Sequence, residues 1–133
     1  MDKFIKYQNS FLFMPDLNEI KIKLQKFTSE RDWDKYHNPK DLLVALVSEI
    51  GELAECYRWL DNEQVQKINE DSEKRKKIEG ELADIFIYLI IISYKSNIDI
   101  LKVIDEKIEK NKLRFPIDKF KGIHTNPIIG LKY

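Results

Sequence analysis

Apolar residues recur at intervals of three and four along four stretches of the chain, which is the spacing of one face of an α-helix. In the first stretch Leu17, Ile20, Leu24 and Phe27 follow this spacing, and the pattern fades near Glu30. The other three stretches predict helices over roughly residues 39 to 60, 72 to 96 and 100 to 114.

Local signals mark the ends of these helices. Asp16 followed by Glu19 has the spacing of a capping box, and Asn38 before Pro39 is typical of a helix start. Asn97 can close the third helix in the left-handed conformation. The predicted bounds therefore rest on capping chemistry as well as on periodicity.

The remaining segments are irregular. Residues 61 to 72 are polar, with one helical turn predicted around residues 65 to 68 and a cap for the next helix at Asp71 or Ser72. Asp99 can cap the fourth helix, which Pro116 ends. Residues 1 to 15 and 117 to 133 show no period.

The chain has the length and composition of one all-α domain. Its 133 residues match the usual size of a single domain, whose core we place at about residues 17 to 120. Only four glycines and four prolines are available to form the turns that separate short strands. We predict an all-α fold in one domain.

Charge and apolar run lengths exclude several classes of partner. Lys plus Arg and Asp plus Glu each number 23, so no overall field attracts a nucleic acid polymer or a membrane surface. The longest apolar run, residues 85 to 92, is far shorter than the ~20 residues of a membrane span. The single cysteine, Cys56, and the absence of a secretory signal pattern predict a cytoplasmic protein.

The second predicted helix carries acids on its apolar stripe. That stripe consists of Leu42, Leu46, Leu53 and Leu60, and Glu49 falls within its width. Glu52 lies on its edge, whereas Glu55 projects to the polar side. This helix therefore has two inward acids and one outward acid.

The third predicted helix repeats the anomaly. Glu81, Asp84 and Tyr88 share a face with Ile85 and Ile92, and the other faces of this helix are also apolar. A helix that is apolar all round must be covered on more than one side, so we predict burial against another subunit. Antiparallel packing of the second and third helices places their inward acids opposite each other.

Four converging carboxylates need a nearby positive charge to stay ionised, because desolvation and mutual repulsion both favour their protonation. A hard divalent cation supplies it, and Mg²⁺ prefers oxygen ligands shared with substrate phosphates. The absence of histidine from the set argues against zinc, and the lack of a Glu-x-x-His pair argues against a di-iron bundle. Magnesium, or else manganese, fits best.

Other residues have the chemistry to contact a nucleotide. On the fourth helix Lys107, Asn111 and Arg114 could meet phosphate oxygens, although basic residues there also complement the helix dipole. The large π faces of Trp33 and Trp59 could stack on a nucleobase. Cys56 is interpreted as a small buried hydrophobe.

Two motifs resemble those of a known family. Residues 48 to 55, Ser-Glu-Ile-Gly-Glu-Leu-Ala-Glu, and residues 81 to 84, Glu-Leu-Ala-Asp, resemble the paired acidic motifs of the MazG-like all-α nucleotide pyrophosphohydrolases. The resemblance covers roughly residues 17 to 120. Further segments resemble the dCTP pyrophosphatase branch: Glu30 to Trp33, Tyr36 to Pro39, Leu42 to Val47, Trp59, Ile87 to Leu89, Lys107, and Asn111 to Pro116.

The resemblance implies a four-helix bundle that assembles as a dimer or tetramer. It implies Mg²⁺-dependent cleavage of a nucleoside triphosphate between the α and β phosphates, giving a monophosphate and pyrophosphate. The metal ligands implied are Glu49, Glu52, Glu81 and Asp84. The implied substrate residues are Trp33, His37, Trp59 and Tyr88 around the base and sugar, and Lys107, Asn111 and Arg114 at the phosphates.

The catalytic base predicted for the attacking water is Glu49 or Glu52. The chain departs from the family at Ser48 and Gly80, where many members carry acids, and at Leu24, where close relatives carry a polar base-contacting residue. The preference for a particular nucleobase, cytosine, is therefore less determined by the resemblance than the reaction is. Two alternatives stay open: a non-catalytic helical assembly module, and a diphosphatase or dUTPase-like hydrolase on the same scaffold.

Overall fold

The computed structural model describes residues 15 to 122, and every regular element in that range is a helix. The all-α prediction is therefore confirmed for this range. The predictions for residues 1 to 14 and 123 to 133 lie outside the described residues. The helices are α1 (Leu17–Ser29), α2 (Pro39–Tyr57), α3 (Asn62–Gln66), a 3₁₀ turn (Ile68–Glu70), α4 (Ser72–Lys95), α5 (Ile100–Arg114) and α6 (Ile117–Phe120).

The four long helices begin where capping side chains satisfy their first amide groups. Asp16 forms the predicted capping box with Glu19, and the side chain of Asn38 accepts a hydrogen bond from the first turn of α2. Asp71 accepts two such bonds at α4, and Asp99 accepts one at α5. Asp71, and not Ser72, is thus the cap.

α2 ends three residues earlier than the periodicity predicted. The last helical residue is Tyr57, whereas Leu60 was expected. Asp61 caps α3 through a capping box with Gln64, and this requires an extended backbone at Asp61. A new cap so close to the end of α2 terminates the helix, and it leaves Trp59 beyond the helix with 76% of its surface exposed.

The described chain divides into two compact units, of which the first ends at Ser96 and the second begins at Asn97. The core of the first unit lies between α2 and α4, which form its principal helix pair. Its buried apolar side chains come from these two helices: Leu42, Leu46, Ile78, Ile90 and Ile91. Burying side chains of this size contributes about 1.5–3 kcal/mol each, so this pair is the main source of stability in the unit.

An ion pair connects the loop after α1 to the end of α4. The Nζ of Lys95 donates to the carboxylate of Asp34 at 2.8 Å, across 61 positions of sequence. The buried Thr28 hydroxyl lies 3.3 Å from the same carboxylate. The hydrogen bond from Lys95, and secondarily its charge, lowers the pKa of Asp34. This loop is the one that carries Trp33 and His37.

Both principal helices leave large apolar side chains exposed on their outer faces. On α2, Val44 and Val47 are more than 60% exposed, and on α4 Phe86 is 61% exposed. Leu43, Ile50, Leu82 and Leu89 add to these surfaces. None of the helices described between residues 15 and 122 is both long and apolar enough to cross a bilayer.

The second unit contains α5 and α6. Its first residue, Asn97, has a φ of 54°, which is the predicted left-handed closure of α4. α5 ends at Arg114 before Pro116, as predicted. The short helix α6 was not predicted, because four residues are too few to show a period. The Phe115 and Phe120 rings pack edge to face across Pro116.

Candidate functional site

Three carboxylates meet between α2 and α4. One carboxylate oxygen from each of Glu49, Glu52 and Glu81 can be chosen so that all three lie within 4.8 Å of one another. Glu49 and Glu81 are half-buried and Glu52 is exposed. Towards the other end of α2, Cys56 and Leu60 share a cavity with residues that precede Glu81 on α4. This register is that of the predicted antiparallel pair.

Glu49 is the acid most disturbed by this arrangement. Its partial burial raises its pKa, and the charges of Glu52, Asp84 and Glu81 raise it further. Each of these causes disfavours the ionised form. A cation among the acids would remove the repulsion, so the electrostatics of the cluster suit a positively charged ligand.

Asp84 lies one helical turn beyond Glu81 and outside the group of three. Its charge still acts on Glu49, and its side chain lines the apolar cavity described below. Asp84 therefore stands between the acidic cluster and that cavity. Its predicted role as a fourth ligand stays a prediction.

Glu55 faces away from the cluster, as its position on the helix predicted. It is exposed and forms an ion pair with Arg58 on the next turn. Glu55 thus belongs to the same Glu-rich segment as the inward acids without sharing their environment.

The donor set of the cluster fits a hard divalent cation. Every candidate atom is a carboxylate oxygen, and Glu52 leaves one side open to solvent. Mg²⁺ and Mn²⁺ prefer such oxygens and keep part of their coordination for water or phosphate. Three close carboxylates with an open side satisfy both requirements.

An apolar cavity of about 500 Å³ lies on the Asp84 side of the cluster. Its walls come from α1, the loop after α1, and the part of α4 that follows Glu81. The lining residues are Ile20, Lys23, Leu24, Phe27, Thr28, Trp33, His37, Asp84, Ile87, Tyr88 and Ile91. Three of the four predicted base-pocket residues, Trp33, His37 and Tyr88, are thus brought together.

The turn after α1 orients the aromatic wall of this cavity. Asp32 has a φ of 53°, a left-handed conformation that aspartate tolerates better than most residues. The reversal lets the amide of Trp33 donate to the carbonyl of Thr28 at 3.0 Å. The Trp33 ring then packs edge to face on Phe27, with a centroid distance of 5.6 Å. Periodicity predicts Phe27 only as a core residue, whereas the structure places it in the wall of this cavity.

His37 lines the same cavity and has one buried polar atom. Its Nδ1 is buried and has no hydrogen-bond partner among the residues that the structure describes. The ring lies 6.5 Å from that of Trp33, with the planes inclined at 66°. A buried ring nitrogen without a partner carries a desolvation cost that a polar group of a ligand would remove.

Trp59 lines a different cavity. This second cavity, of about 290 Å³, is bounded by Glu55, Cys56, Trp59, Leu60, Lys74 and Lys77. The guanidinium of Arg58 lies 4.4 Å from the centroid of the Trp59 ring. Within one chain Trp59 and Trp33 therefore line different cavities. The role of Trp59 in binding the nucleobase stays a prediction. The lysines were not anticipated, because their charged segment has the composition of a solvated helix turn.

The three predicted phosphate ligands lie on α5 in the second unit. Asn111 is half-buried, whereas Lys107 and Arg114 are exposed. The guanidinium of Arg114 lies 5.0 Å from the centroid of the Phe115 ring. Their contact with a phosphate chain stays a prediction.

Fold and site together define a class, the all-α proteins that gather carboxylates between two antiparallel helices beside an aromatic cavity. Within that class, a family model described as the MazG-like family matches residues 44–126, more than half of the chain. The chain belongs to the MazG-like family, and the resemblance noted in its motifs is confirmed.

Curated relatives and solved structures agree with this assignment. The chain is 34% identical over 113 residues to dCTP pyrophosphatase 1 of Bos taurus, covering 85% of this chain and 67% of that protein. It is also 34% identical over 107 residues to dCTP pyrophosphatase 1 of Homo sapiens, covering 80% and 63%. The chain thus spans about two thirds of the length of these relatives.

A crystal structure of a pyrophosphatase from Archaeoglobus fulgidus has a similar fold. The TM-score is 0.71 at 30% sequence identity, and the match covers 77% of this chain and 94% of that one.

Proposed function

We propose that this protein is a nucleoside triphosphate pyrophosphohydrolase that prefers dCTP or a modified dCTP. The products are the nucleoside monophosphate and pyrophosphate, and the role is removal of unwanted nucleotides from the cytoplasmic pool. The observation that carries the proposal is the acidic cluster beside an aromatic cavity large enough for a nucleoside. The names of the curated relatives, dCTP pyrophosphatase 1, support the same reaction.

In this proposal Glu49, Glu52 and Glu81 hold Mg²⁺, with Asp84 as the fourth ligand; Mn²⁺ can replace it. When bound, the metal neutralises the triphosphate, polarises a phosphoryl oxygen and lowers the pKa of the attacking water. The half-buried acids keep the cluster in place, and the exposed Glu52 leaves room for substrate oxygens.

One of the two α2 carboxylates, Glu49 or Glu52, accepts the proton of the attacking water. The water oxygen forms a bond to phosphorus while the bond from that phosphorus to the oxygen bridging the α and β phosphates breaks. Pyrophosphate and the monophosphate are then released. Since a glutamine cannot accept the proton or bind a cation equally well, Glu49→Gln should abolish turnover.

The apolar cavity receives the nucleoside. The Trp33 ring supplies a stacking face, and His37 and Tyr88 line the same cavity. Leu24 lines this cavity and offers no hydrogen bond to a base. Discrimination between bases must therefore rest on His37, Tyr88 and the other polar groups around the cavity.

The phosphate ligands Lys107, Asn111 and Arg114, and Trp59 at the base pocket, complete the proposed substrate site. The exposed apolar faces of α2 and α4 support assembly into a homo-oligomer, a dimer or a tetramer, because monomers rarely leave such side chains in water. Light scattering coupled to size-exclusion chromatography measures the mass directly.

A panel of nucleoside triphosphates incubated with Mg²⁺, with product analysis, tests the function. We expect dCMP and pyrophosphate from dCTP. Glu49→Gln and Asp84→Asn should lose this activity while their circular dichroism spectra stay unchanged. Glu55→Gln is the matched control, because Glu55 sits on the same helix but faces Arg58. Absence of turnover with every nucleotide would favour the non-catalytic assembly module, and release of inorganic phosphate would favour a different hydrolase.

A further inference from the structure

A long-range ion pair ties the loop after α1, residues 30 to 38, to the last turn of α4. The Nζ of Lys95 donates to Oδ1 of Asp34 at 2.8 Å, across 61 positions of sequence. Every other side-chain hydrogen bond among residues 15 to 122 joins positions at most six apart. The backbone hydrogen bonds of the loop are equally local. Local bonds therefore shape the loop, and this pair attaches it to α4.

Thr28 connects the ion pair to the aromatic wall of the apolar cavity. Its side chain is 2% exposed, and its hydroxyl lies 3.3 Å from the same oxygen of Asp34. Its carbonyl accepts the amide hydrogen of Trp33 at 3.0 Å. Thr28 itself lines the cavity. The carboxylate that binds Lys95 and the ring that lines the cavity thus bond to one buried residue.

The other member of the pair lies close to a second wall of the cavity. Lys95 follows Ile91 by four residues of helix, or about 6 Å, and Ile91 lines the cavity from α4. A lysine in the last turn of a helix also complements the helix dipole. That role needs no carboxylate, so it leaves the contact with Asp34 unexplained.

Packing gives the Trp33 ring little support of its own. The ring is 44% exposed, and it meets Phe27, which is equally exposed, edge to face. A ring on a loop must be restrained before it can present a fixed face to a ligand, because ordering it during binding costs affinity. The ion pair, one residue along the chain from Trp33, supplies such a restraint.

We infer that Asp34 and Lys95 are positioning residues for the nucleoside, because their ion pair holds the loop against α4 and so fixes Trp33 in the cavity wall. Neither side chain lines the cavity, so both act on the substrate through Trp33. The effect on substrate rests on the proposed function. Without the pair, the loop would leave α4 for part of the time, and the apparent affinity would fall with the fraction of protein that is competent to bind.

Steady-state kinetics with dCTP compares Lys95→Met with Lys67→Met, which removes a lysine from an exposed pair with Glu63. Lys95→Met should raise KM by up to about fivefold, the population shift that loss of one partly exposed ion pair allows. Its kcat should stay nearly unchanged, because the acidic cluster is intact. Lys67→Met should change neither quantity, and Lys95→Arg, which keeps a donor, should restore KM.

Two further variants separate positioning from a general loss of stability. Ile78→Val weakens the core elsewhere on α4 and should leave KM unchanged. In the Trp33→Ala background, Lys95→Met should have no further effect on KM, because the ring that the pair positions is absent. Thermal unfolding checks that every variant is folded at the assay temperature.

Quenching of tryptophan fluorescence by acrylamide gives a readout that needs no nucleotide. The chain has two tryptophans, so Trp59→Phe leaves Trp33 as the single tryptophan that emits. In this background Lys95→Met should raise the quenching constant, because the released ring is more accessible to the quencher. Lys67→Met should leave the quenching constant unchanged.

The outcomes separate this inference from the proposed function. An unchanged KM in Lys95→Met, a fall in kcat in place of a rise in KM, or additive effects of Lys95→Met and Trp33→Ala would overturn the positioning role, as would unchanged quenching. If no nucleoside triphosphate is hydrolysed but quenching still depends on Lys95, the proposed function fails and the positioning of Trp33 stands. Turnover of dCTP with a KM that is insensitive to Lys95 removes the positioning role alone.

Discussion

Replacing Asp34 by alanine should destabilise the protein through loss of one long-range contact. The carboxylate accepts from Lys95 Nζ at 2.8 Å and lies 3.3 Å from the Thr28 hydroxyl. The Asp34 side chain is 42% exposed, so solvent screens the ion pair, which we take at about 1 kcal/mol, the upper end for exposed pairs. The Thr28 contact adds about 0.5 kcal/mol. The expected loss is about 1.5 kcal/mol, or roughly 5 °C in Tm for a domain of this size.

The pH dependence of this loss has a definite sign. Because the pKa of Asp34 is lowered in the folded protein, the ionised carboxylate stabilises the fold at neutral pH. That contribution is fully present above the unfolded value of 3.8 and disappears as the pH falls through the lowered folded pKa. The difference between the unaltered protein and Asp34→Ala should therefore shrink steadily below about pH 4.

Urea unfolding at a series of pH values measures both quantities. Glu63→Ala is the control, because Glu63 pairs with Lys67 one turn along the chain, and loss of this exposed pair should cost no more than about 0.5 kcal/mol. A double-mutant cycle with Lys95→Met isolates the ion pair. Equal stability of Asp34→Ala and the unaltered protein at pH 7, or a difference that grows towards acid, would refute the reasoning.

Three further predictions concern the site and the assembly. Without metal, the raised pKa of Glu49 means that stability should fall as the pH rises through that pKa. Mg²⁺ should remove this fall in stability and raise the Tm of the unaltered protein, but should raise the Tm of Glu49→Gln much less. An equal rise in both proteins would contradict the proposal that Glu49 is a metal ligand. Trp33→Ala should raise KM for dCTP about tenfold with little change in kcat, as measured by steady-state kinetics, because it removes a stacking face. An unchanged KM would exclude Trp33 from the nucleoside cavity. Phe86→Glu should lower the mass found by light scattering, because it places a charge on an exposed apolar face of α4; an unaltered mass would exclude that face from the interface.

Helix bounds could be predicted because capping is a local interaction. Asp16, Asn38 and Asp99 each bond to amides within three residues, so their neighbours in sequence determine whether a helix begins there. The exception at Tyr57 has the same local origin, because the cap at Asp61 competes with the apolar period and ends the helix early.

The inward acids were also accessible from sequence. A residue's face on a helix follows from its number alone, so Glu49 and Glu55 could be assigned to different faces before any packing was known. The antiparallel arrangement that joins Glu49 to Glu81 then followed from matching two apolar stripes.

Contacts between distant segments were decided only by the tertiary structure. The pairing of Asp34 with Lys95 spans 61 residues, and no local sequence pattern around either residue predicts the other as its partner. The same holds for Trp59, which the structure separates from Trp33, and for Lys77, whose cavity exists only because α4 packs against the end of α2. The sequence by itself determined the helices, their faces and the acidic cluster, because these depend on a period and on near neighbours. Packing decided which cavity each aromatic and basic side chain lines, because a cavity is a property of several surfaces at once.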